Sequence, residues 1–236
     1  MSQLDSAMFF SSLLKGLEAL GYTLEQVMSK HEGDARASGL REKKRSKPFA
    51  LGQHDFRRDQ MFWLFLRHGN QDIGGAAARV DTLKHREFPV FLQETYERVY
   101  GGEYQDEGYK IPEFLETIEG NVAYLGEFFV QKKHRGNRNL LRLYTHALFL
   151  LTMQTLRADW IYAFIPKAHD FYGLGRVYGF VHFEDAGFVW KDVPEGRERE
   201  TFCAISKAQL AERATFYSKH PEAFPVLESD HFERMD

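Results

Sequence analysis

The chain opens on apolar residues at helical spacing. Ala7, Phe10, Leu13, Leu14, Leu17 and Leu20 fall on one face and predict a helix. Gly21 stands where a C-terminal cap belongs. Thr23-Leu24-Glu25-Gln26 has the form of a capping box and predicts a short second helix carrying Leu24, Val27 and Met28. From Glu32 to Pro48 the pattern dissolves into polar and charged residues, with a basic run from Arg41 to Lys47, and reads as a loop or linker. The period then changes. Met61 to Leu66 is an unbroken apolar run of strand type, and His68 to Asp72 is turn chemistry. Ile73 to Val80 returns as a second strand whose glycines and alanines permit close backbone approach. Residues 82–119 form a long insertion in which Phe88, Phe91, Leu92, Tyr96 and Val99 predict a helix, ended by Gly101 and Gly102.

The next stretch is the most informative. Asn121 to Val130 predicts a strand, Gln131 to Asn137 a basic turn containing glycine, and Asn139 to Arg157 a long helix with Leu140, Leu143, Tyr144, Ala147, Leu148 and Leu151 on one face. Trp160 to Ile165 predicts a buried strand closed by Pro166. A strand–helix–strand unit implies parallel pairing through a right-handed crossover. A helix over His169 to Tyr178, strands at Gly187 to Lys191 and Thr201 to Ile205, and a capped helix from Ser206 follow, before Pro221 and Pro225 break the tail. The order predicts an α/β fold: a mixed, mostly antiparallel sheet with a parallel strand–helix–strand core, flanked by helices. The expected division is an N-terminal helical segment and linker over 1–50 and one domain over 51–236 with its insertion at 82–119. Sequence leaves open whether the N-terminal helices join the core or form an appendage.

Composition narrows the partners. With 236 residues, 43% of them hydrophobic and 15% aromatic, the chain supports one well-buried, aromatic-rich core. A net charge of −3 gives no global pull toward nucleic acid or anionic membranes, and the N-terminal helices carry no cluster of Arg and Lys on one face. No apolar run is long enough to span a bilayer, and the N-terminus lacks the pattern of a signal peptide. The lone Cys203 excludes an intramolecular disulfide and a cysteine zinc site, and fits a reducing cytoplasm; among strand residues it reads as a small core hydrophobe. No pair of His, Asp or Glu has metal-ligand spacing, so no metal is expected.

Within this mildly acidic chain, Lys132, Lys133, Arg135, Arg138 and Arg142 crowd positive charge into one turn. That turn opens a helix, whose first N–H groups and positive dipole end favour anions. A polyphosphate ligand would be drawn there. A solvated basic loop fits the same residues.

The stretch from Leu125 to Phe180 resembles the acyl-CoA-binding core of the GNAT N-acetyltransferase superfamily. In that family a strand ends in an aliphatic residue, and a turn Arg-Gly-x-Gly-x-Gly/Ala opens a long helix. A second strand and a short helix ending near Gly-Phe follow. Here Val130, Arg135-Gly136, the helix from Asn139, the strand Trp160 to Ile165 and Gly179-Phe180 stand in that order. The hairpin from Met61 to Val80 is similar to the family's preceding strands and Gly187 to Ile205 to its closing ones, so the resemblance covers roughly residues 60 to 206. It implies acetyl-CoA or another acyl-CoA as co-substrate and a small-molecule or peptide amine as acceptor. The donor would be bound by Phe128, Phe129 and Val130 at the strand end and by Lys132, Lys133, His134, Arg135, Gly136, Asn137, Arg138 and Asn139 in the turn. Two residues depart from the pattern: Arg138 stands at the second glycine and Leu140 at the final Gly/Ala. The insertion, and weakly the segment Ile73 to Arg79, are similar to the autoinducer synthases and N-acyl amino acid synthases. Those relatives can take the acyl group from acyl carrier protein, which would imply a wide tunnel lined by Phe88, Phe91 and Leu92. A third reading is a GNAT-like binding module that no longer catalyses. A homodimer is compatible with all three.

N-acyl transfer needs a base for the amine, donors for the thioester carbonyl and an acid for the leaving thiolate. By resemblance, backbone N–H groups near Phe129 and Val130 hold the carbonyl. Strand alternation puts Glu127 on one face with Ala123, Leu125 and Phe129, and a carboxylate so placed is either the base or a partnered structural group. The family's acid is often a tyrosine after the second core strand. Tyr172 and Tyr178 lie there, but the usual position, four residues before the glycine of Gly-Phe, holds Gly175; counted from Gly187-Phe188 it would hold Phe183. Packing in an aromatic core is the competing role for both tyrosines. His134 and His169 are further base candidates, against a solvated histidine and a helix cap.

Overall fold

The computed structural model describes residues 2–40, 49, 59–101, 104–105, 112–185, 189–190 and 200–224. Helix α1 (Gln3–Ala19) starts where the Ser2 hydroxyl accepts the Asp5 N–H. It ends at Gly21, which takes a positive φ of 84°. The next segment departs from expectation. Tyr22–Val27 is strand β1, paired residue for residue with His68 to Trp63 of β2 (Met61–His68). An open sheet edge beside the segment outweighs its local capping pattern. Part of the expected loop is helix α2 (Lys30–Leu40). It buries only Gly33 and Ala37, and it is held by Arg36, whose guanidinium donates to Glu25 and Asp72 and stacks over the Phe65 ring. The basic run 41–47 and the expected boundary at 50/51 lie outside the described residues.

The central elements match the apolar pattern. Strand β3 (Gln71–Thr82) returns antiparallel to β2, and helix α3 (Phe88–Tyr100) ends at Gly101. After the two-residue strand β4 (Tyr104–Gln105) and the short helix α4 (Glu113–Glu116) come β5 (Asn121–Val130), helix α5 (Arg138–Thr155) and β6 (Trp160–Pro166). The expected single helix over 169–178 is two, α6 (Lys167–Phe171) and α7 (Leu174–Tyr178), broken at Gly173 with φ 68°. Strand β7 (His182–Asp185) lies where the sequence pattern gave no strand. The strand expected at 187–191 is described as β8 (Val189–Trp190), which pairs with β4 in a separate ribbon; Gly187, Phe188 and Lys191 lie outside the described residues. Strand β9 (Glu200–Ser206) and helix α8 (Lys207–Lys219) close the fold, and the Ser206–Gln209 capping box is formed in both directions.

Among the described residues the main sheet has seven strands in the order β1-β2-β3-β5-β6-β9-β7. Its strand pairs are antiparallel except β5 with β6, which run parallel around α5. This is the mixed, mostly antiparallel sheet with a parallel strand–helix–strand core expected of a GNAT-like fold. Both faces are covered, so the strands read as apolar runs rather than alternating ones. One face is largely aliphatic: Phe62, Leu64, Leu66, Ile161 and Ile205 pack against Leu13, Leu17, Leu140, Leu148 and Leu210 of α1, α5 and α8. Here α1 and β1 are integral to the core. The other face is aromatic: Trp63, Phe65, Tyr124, Tyr162 and Phe202 pack beneath Phe88, Phe91 and Tyr96 of α3.

Candidate active site

Strand β5 behaves differently along its two edges. Toward β3 it pairs from Asn121 to Val130, and the Gln131 N–H extends the contact to the Ile73 carbonyl at 2.8 Å. Toward β6 it pairs only at Val122, Ala123 and Tyr124, opposite Trp160, Ile161 and Tyr162. Beyond that point β5 runs on to Val130 and β6 to Pro166 with no ladder between them. The result is a wedge-shaped slot along roughly 20 Å of β5, at about 3.3 Å per residue. Past Tyr124 that edge of β5 has no strand partner among the described residues, and Phe49 stacks on the Tyr124 ring at the point of divergence.

A β-bulge sets this divergence. Gly75 faces Phe129 and Ala77 faces Gly126, so β5 carries one more residue than β3 across this interval. Glu127 takes up the extra length with a φ of 57°, a left-handed conformation rare for a side chain of its type. The bulge corrects the expected alternation. Ala123 and Leu125 face the aliphatic core, but Phe129 faces the aromatic one, while Phe128 and Val130 turn to the aliphatic side. Glu127 itself is buried at the bulge. A strained residue at such a place is a recurring mark of functional sites.

The basic turn closes the slot's wide end. Lys132 to His134 form one 3-10 turn, Gly136 takes φ 90°, and Asn137 caps α5 by accepting the Leu140 N–H at 2.9 Å. Space is open around Gly136, where an added Cβ would meet nothing within 4 Å. Lys132, Lys133 and Arg135 are exposed; Arg138 and Asn139 are half-buried at the helix start. Arg135 folds back so that Nε donates to the Val130 carbonyl at 2.6 Å, tying the turn to the strand end. The Leu140 side chain is fully buried in the aliphatic core and does not narrow the turn.

Three residues from distant parts of the chain complete this corner. His134 Nδ1 lies 2.9 Å from the Tyr22 hydroxyl, and its ring centroid is 5.3 Å from that of His68. Burial, then Lys133, then His68 hold the His134 imidazolium below the usual histidine range. Tyr22 and His68 had no signal in the sequence, because the pairing that brings them here depends on β1 being a strand.

The tyrosines separate. Tyr172 is 64% exposed at the end of α6. Tyr178 packs at 5.4 Å from Phe128, which also lies 5.6 Å from Tyr144, so Phe128 bridges the slot's flank from β5 to α7. Burial, with a contribution from Cys203, pushes the Tyr178 phenol up to about 12, which keeps its proton available as a donor at neutral pH. At Gly175 an added Cβ would come within 2.5 Å of the Phe183 ring, so a side chain there would require Phe183 to shift. His169 is exposed on α6. Cys203 is fully buried, as a core hydrophobe should be. No group of three or more His, Cys, Asp or Glu able to hold a metal occurs among the described residues, and no described helix is long and apolar enough to cross a membrane.

What the fold and slot define is a sheet protein with a split parallel strand pair and an anion-attracting helix start at its mouth. No family model matches the chain, and no curated protein matches it. Among solved structures, the chain is similar to the N-acyl amino acid synthase FeeM from uncultured soil microbes, at 13% identity and a TM-score of 0.46, over 84% of this chain and 97% of that one. It is also similar to the aminoglycoside acetyltransferase AAC(6')-Ib in complex with coenzyme A and kanamycin, at 13% identity and a TM-score of 0.45, over 81% of this chain and 98% of that one. An acetyltransferase from Streptococcus agalactiae gives 12% identity and a TM-score of 0.41, over 79% of this chain and 98% of that one.

Proposed function

We propose that the chain is an N-acyltransferase of GNAT type using an acyl-CoA as donor. The observation that carries this reading is the release of β5 from β6 after Tyr124, with a basic helix N-terminus at the open end. The pyrophosphate would sit at Lys132 to Asn139, where helix N–H groups and cationic side chains converge. The acyl-bearing arm would lie along β5, with backbone N–H groups near Phe128 to Val130 polarising the thioester carbonyl. The amine nitrogen attacks that carbonyl, a C–N bond forms and the C–S bond breaks. Glu127, at the bulge, is the base that takes the amine proton. Tyr178, beside Phe128, is the acid that protonates the departing thiolate. Acetyl is the simplest acyl group for the slot. Acyl carrier protein is an alternative donor, and the acceptor is a small-molecule or peptide amine. A cytoplasmic location belongs to this reading, and a single cysteine fits a reducing compartment.

The second reading, a binding module without catalysis, is favoured by two observations. The Asn137 side chain takes a helix N–H that a phosphate would otherwise use, and Phe128 occupies the flank of the slot. Calorimetric titration with acetyl-CoA, free CoA and a long-chain acyl-CoA, with Arg135→Glu as control, tests the donor site. Saturable binding lost in the variant supports it. Absence of binding by all three removes the acyl-CoA reading.

A further inference from the structure

Beyond Tyr124, Gly126 and Phe128 of β5 keep partial exposure, while Leu125, Glu127 and Phe129 are buried. Phe164, on the released part of β6, is half-buried as well. The narrow end of the slot, where β5 and β6 part at Tyr124 and Tyr162, is covered by a ring from elsewhere in the chain. Phe49, from the segment before β2, stands there, 1% exposed. Its ring stacks on Tyr124, with centroids 5.4 Å apart and planes 20° apart. It also lies over Gly126, where an added Cβ would come within 2.6 Å of Phe49 Cε2. At Gly126 the strand gives up its side chain to this ring.

With the pyrophosphate at the basic turn and the thioester carbonyl near Phe128 to Val130, the acyl tail points back along β5 toward Gly126. From Phe129 to Gly126 the strand runs opposite Gly75 to Ala77 of β3, an interval of roughly 7 Å at about 3.3 Å per residue. An acetyl group ends inside that interval. A longer chain runs on into the stacked rings of Phe49 and Tyr124. On one flank Phe128 packs against Tyr144 and Tyr178, and on the other Phe164 meets Tyr96 and Tyr124. Rings packed in this way take up extra methylenes only by moving off their preferred positions. Phe49 differs from the other rings because it belongs to neither strand. Replacing it alters the end of the slot without unpairing the sheet.

We propose that Phe49 is the acyl-length stop of the donor site and restricts the donor to short acyl groups such as acetyl. This rests on the donor-slot reading. Phe49 meets the acyl tail and not the reacting atoms, so it sets specificity and takes no part in the chemistry.

The test titrates the full chain with free CoA, acetyl-CoA and decanoyl-CoA by calorimetry. In the unaltered protein decanoyl-CoA should bind no tighter than acetyl-CoA, because its added methylenes find no buried place. Phe49→Ala should tighten decanoyl-CoA at least tenfold and leave free CoA within twofold; burying about two further methylenes accounts for that gain. Phe49→Leu, a smaller change, should tighten it by a lesser factor, and thermal melts check that each variant folds. A packing role alone would lower the melting temperature and leave the ratio of decanoyl-CoA to acetyl-CoA affinity as it was. Decanoyl-CoA binding the unaltered protein tenfold tighter than acetyl-CoA, or an unchanged ratio in every variant that folds, overturns the proposal and leaves the donor reading standing. Absence of binding by all three ligands removes the donor reading and the proposal together.

Discussion

The two edges of β5 differ: one is sealed into the sheet and the other parts from its neighbour at the candidate site. Toward β3 the neighbours are Gly74, Gly75 and three alanines, and the strands stay paired to Val130. Toward β6 the neighbours are large rings, Tyr162 and Phe164, which pack with the strand's own Tyr124, and pairing stops there. The bulge at Glu127 lies just beyond this point and adds local twist. Small residues line the paired edge, which carries the bulge, and bulky residues stand where the other edge opens.

The largest expected effect comes from forcing the closed edge apart. An added Cβ at Gly74 would stand 2.8 Å from the Phe129 carbonyl, which is backbone and cannot swing away. Gly74→Val should cost about 3 kcal/mol, read as a lower midpoint in urea unfolding. On the open edge, Tyr178→Phe keeps the ring against Phe128 and removes the proposed acid. It should lower kcat about a hundredfold, roughly 2.7 kcal/mol, with KM for the donor little changed.

A pH experiment addresses the closed side of α5. Burial lowers the His146 imidazole to about 3, against the opposing effect of its contact with the Arg142 carbonyl; Arg213 of α8 and Arg142 add to the lowering. The unfolded chain binds a proton at this histidine below about pH 6.5, and the folded chain does not until far lower. Its contribution is therefore complete above pH 6.5 and falls as pH falls. Between pH 6.5 and 5 the loss should be about 2 kcal/mol, and it should disappear in a folded His146→Phe variant compared by denaturant titration.

Smaller effects probe the open end. Lys132→Glu should weaken donor binding about tenfold, equivalent to about 1.4 kcal/mol. Lys133→Ala should weaken it two- to threefold, with the difference shrinking as salt rises toward about 1 M. Isothermal titration at two salt concentrations reads both.

The fold was legible where apolar runs were dense. Met61 to Leu66, Ile73 to Val80, Asn121 to Val130 and Trp160 to Ile165 each became the expected strand, and Leu140, Tyr144 and Leu148 the buried face of α5. The misreadings came from elements fixed by distant partners. Tyr22–Val27 is a strand because β2 offers it an edge, and α2 depends on Arg36 meeting Asp72. Of the candidate site, the basic turn was legible from its charges. The bulge was not, because one inserted residue leaves no mark in a run of apolar positions. It is the bulge that puts Phe129 on the face opposite Leu125, and only the register shows it.

Amide hydrogen exchange of the full chain with and without saturating CoA tests the central claim, that the opened edge of β5 is the donor site. The account predicts added protection concentrated in residues 126–131 and 136–141, with little change along β1 and β2 away from Tyr22 and His68. Binding of CoA with no protection in those two segments, or with protection centred elsewhere, would contradict it.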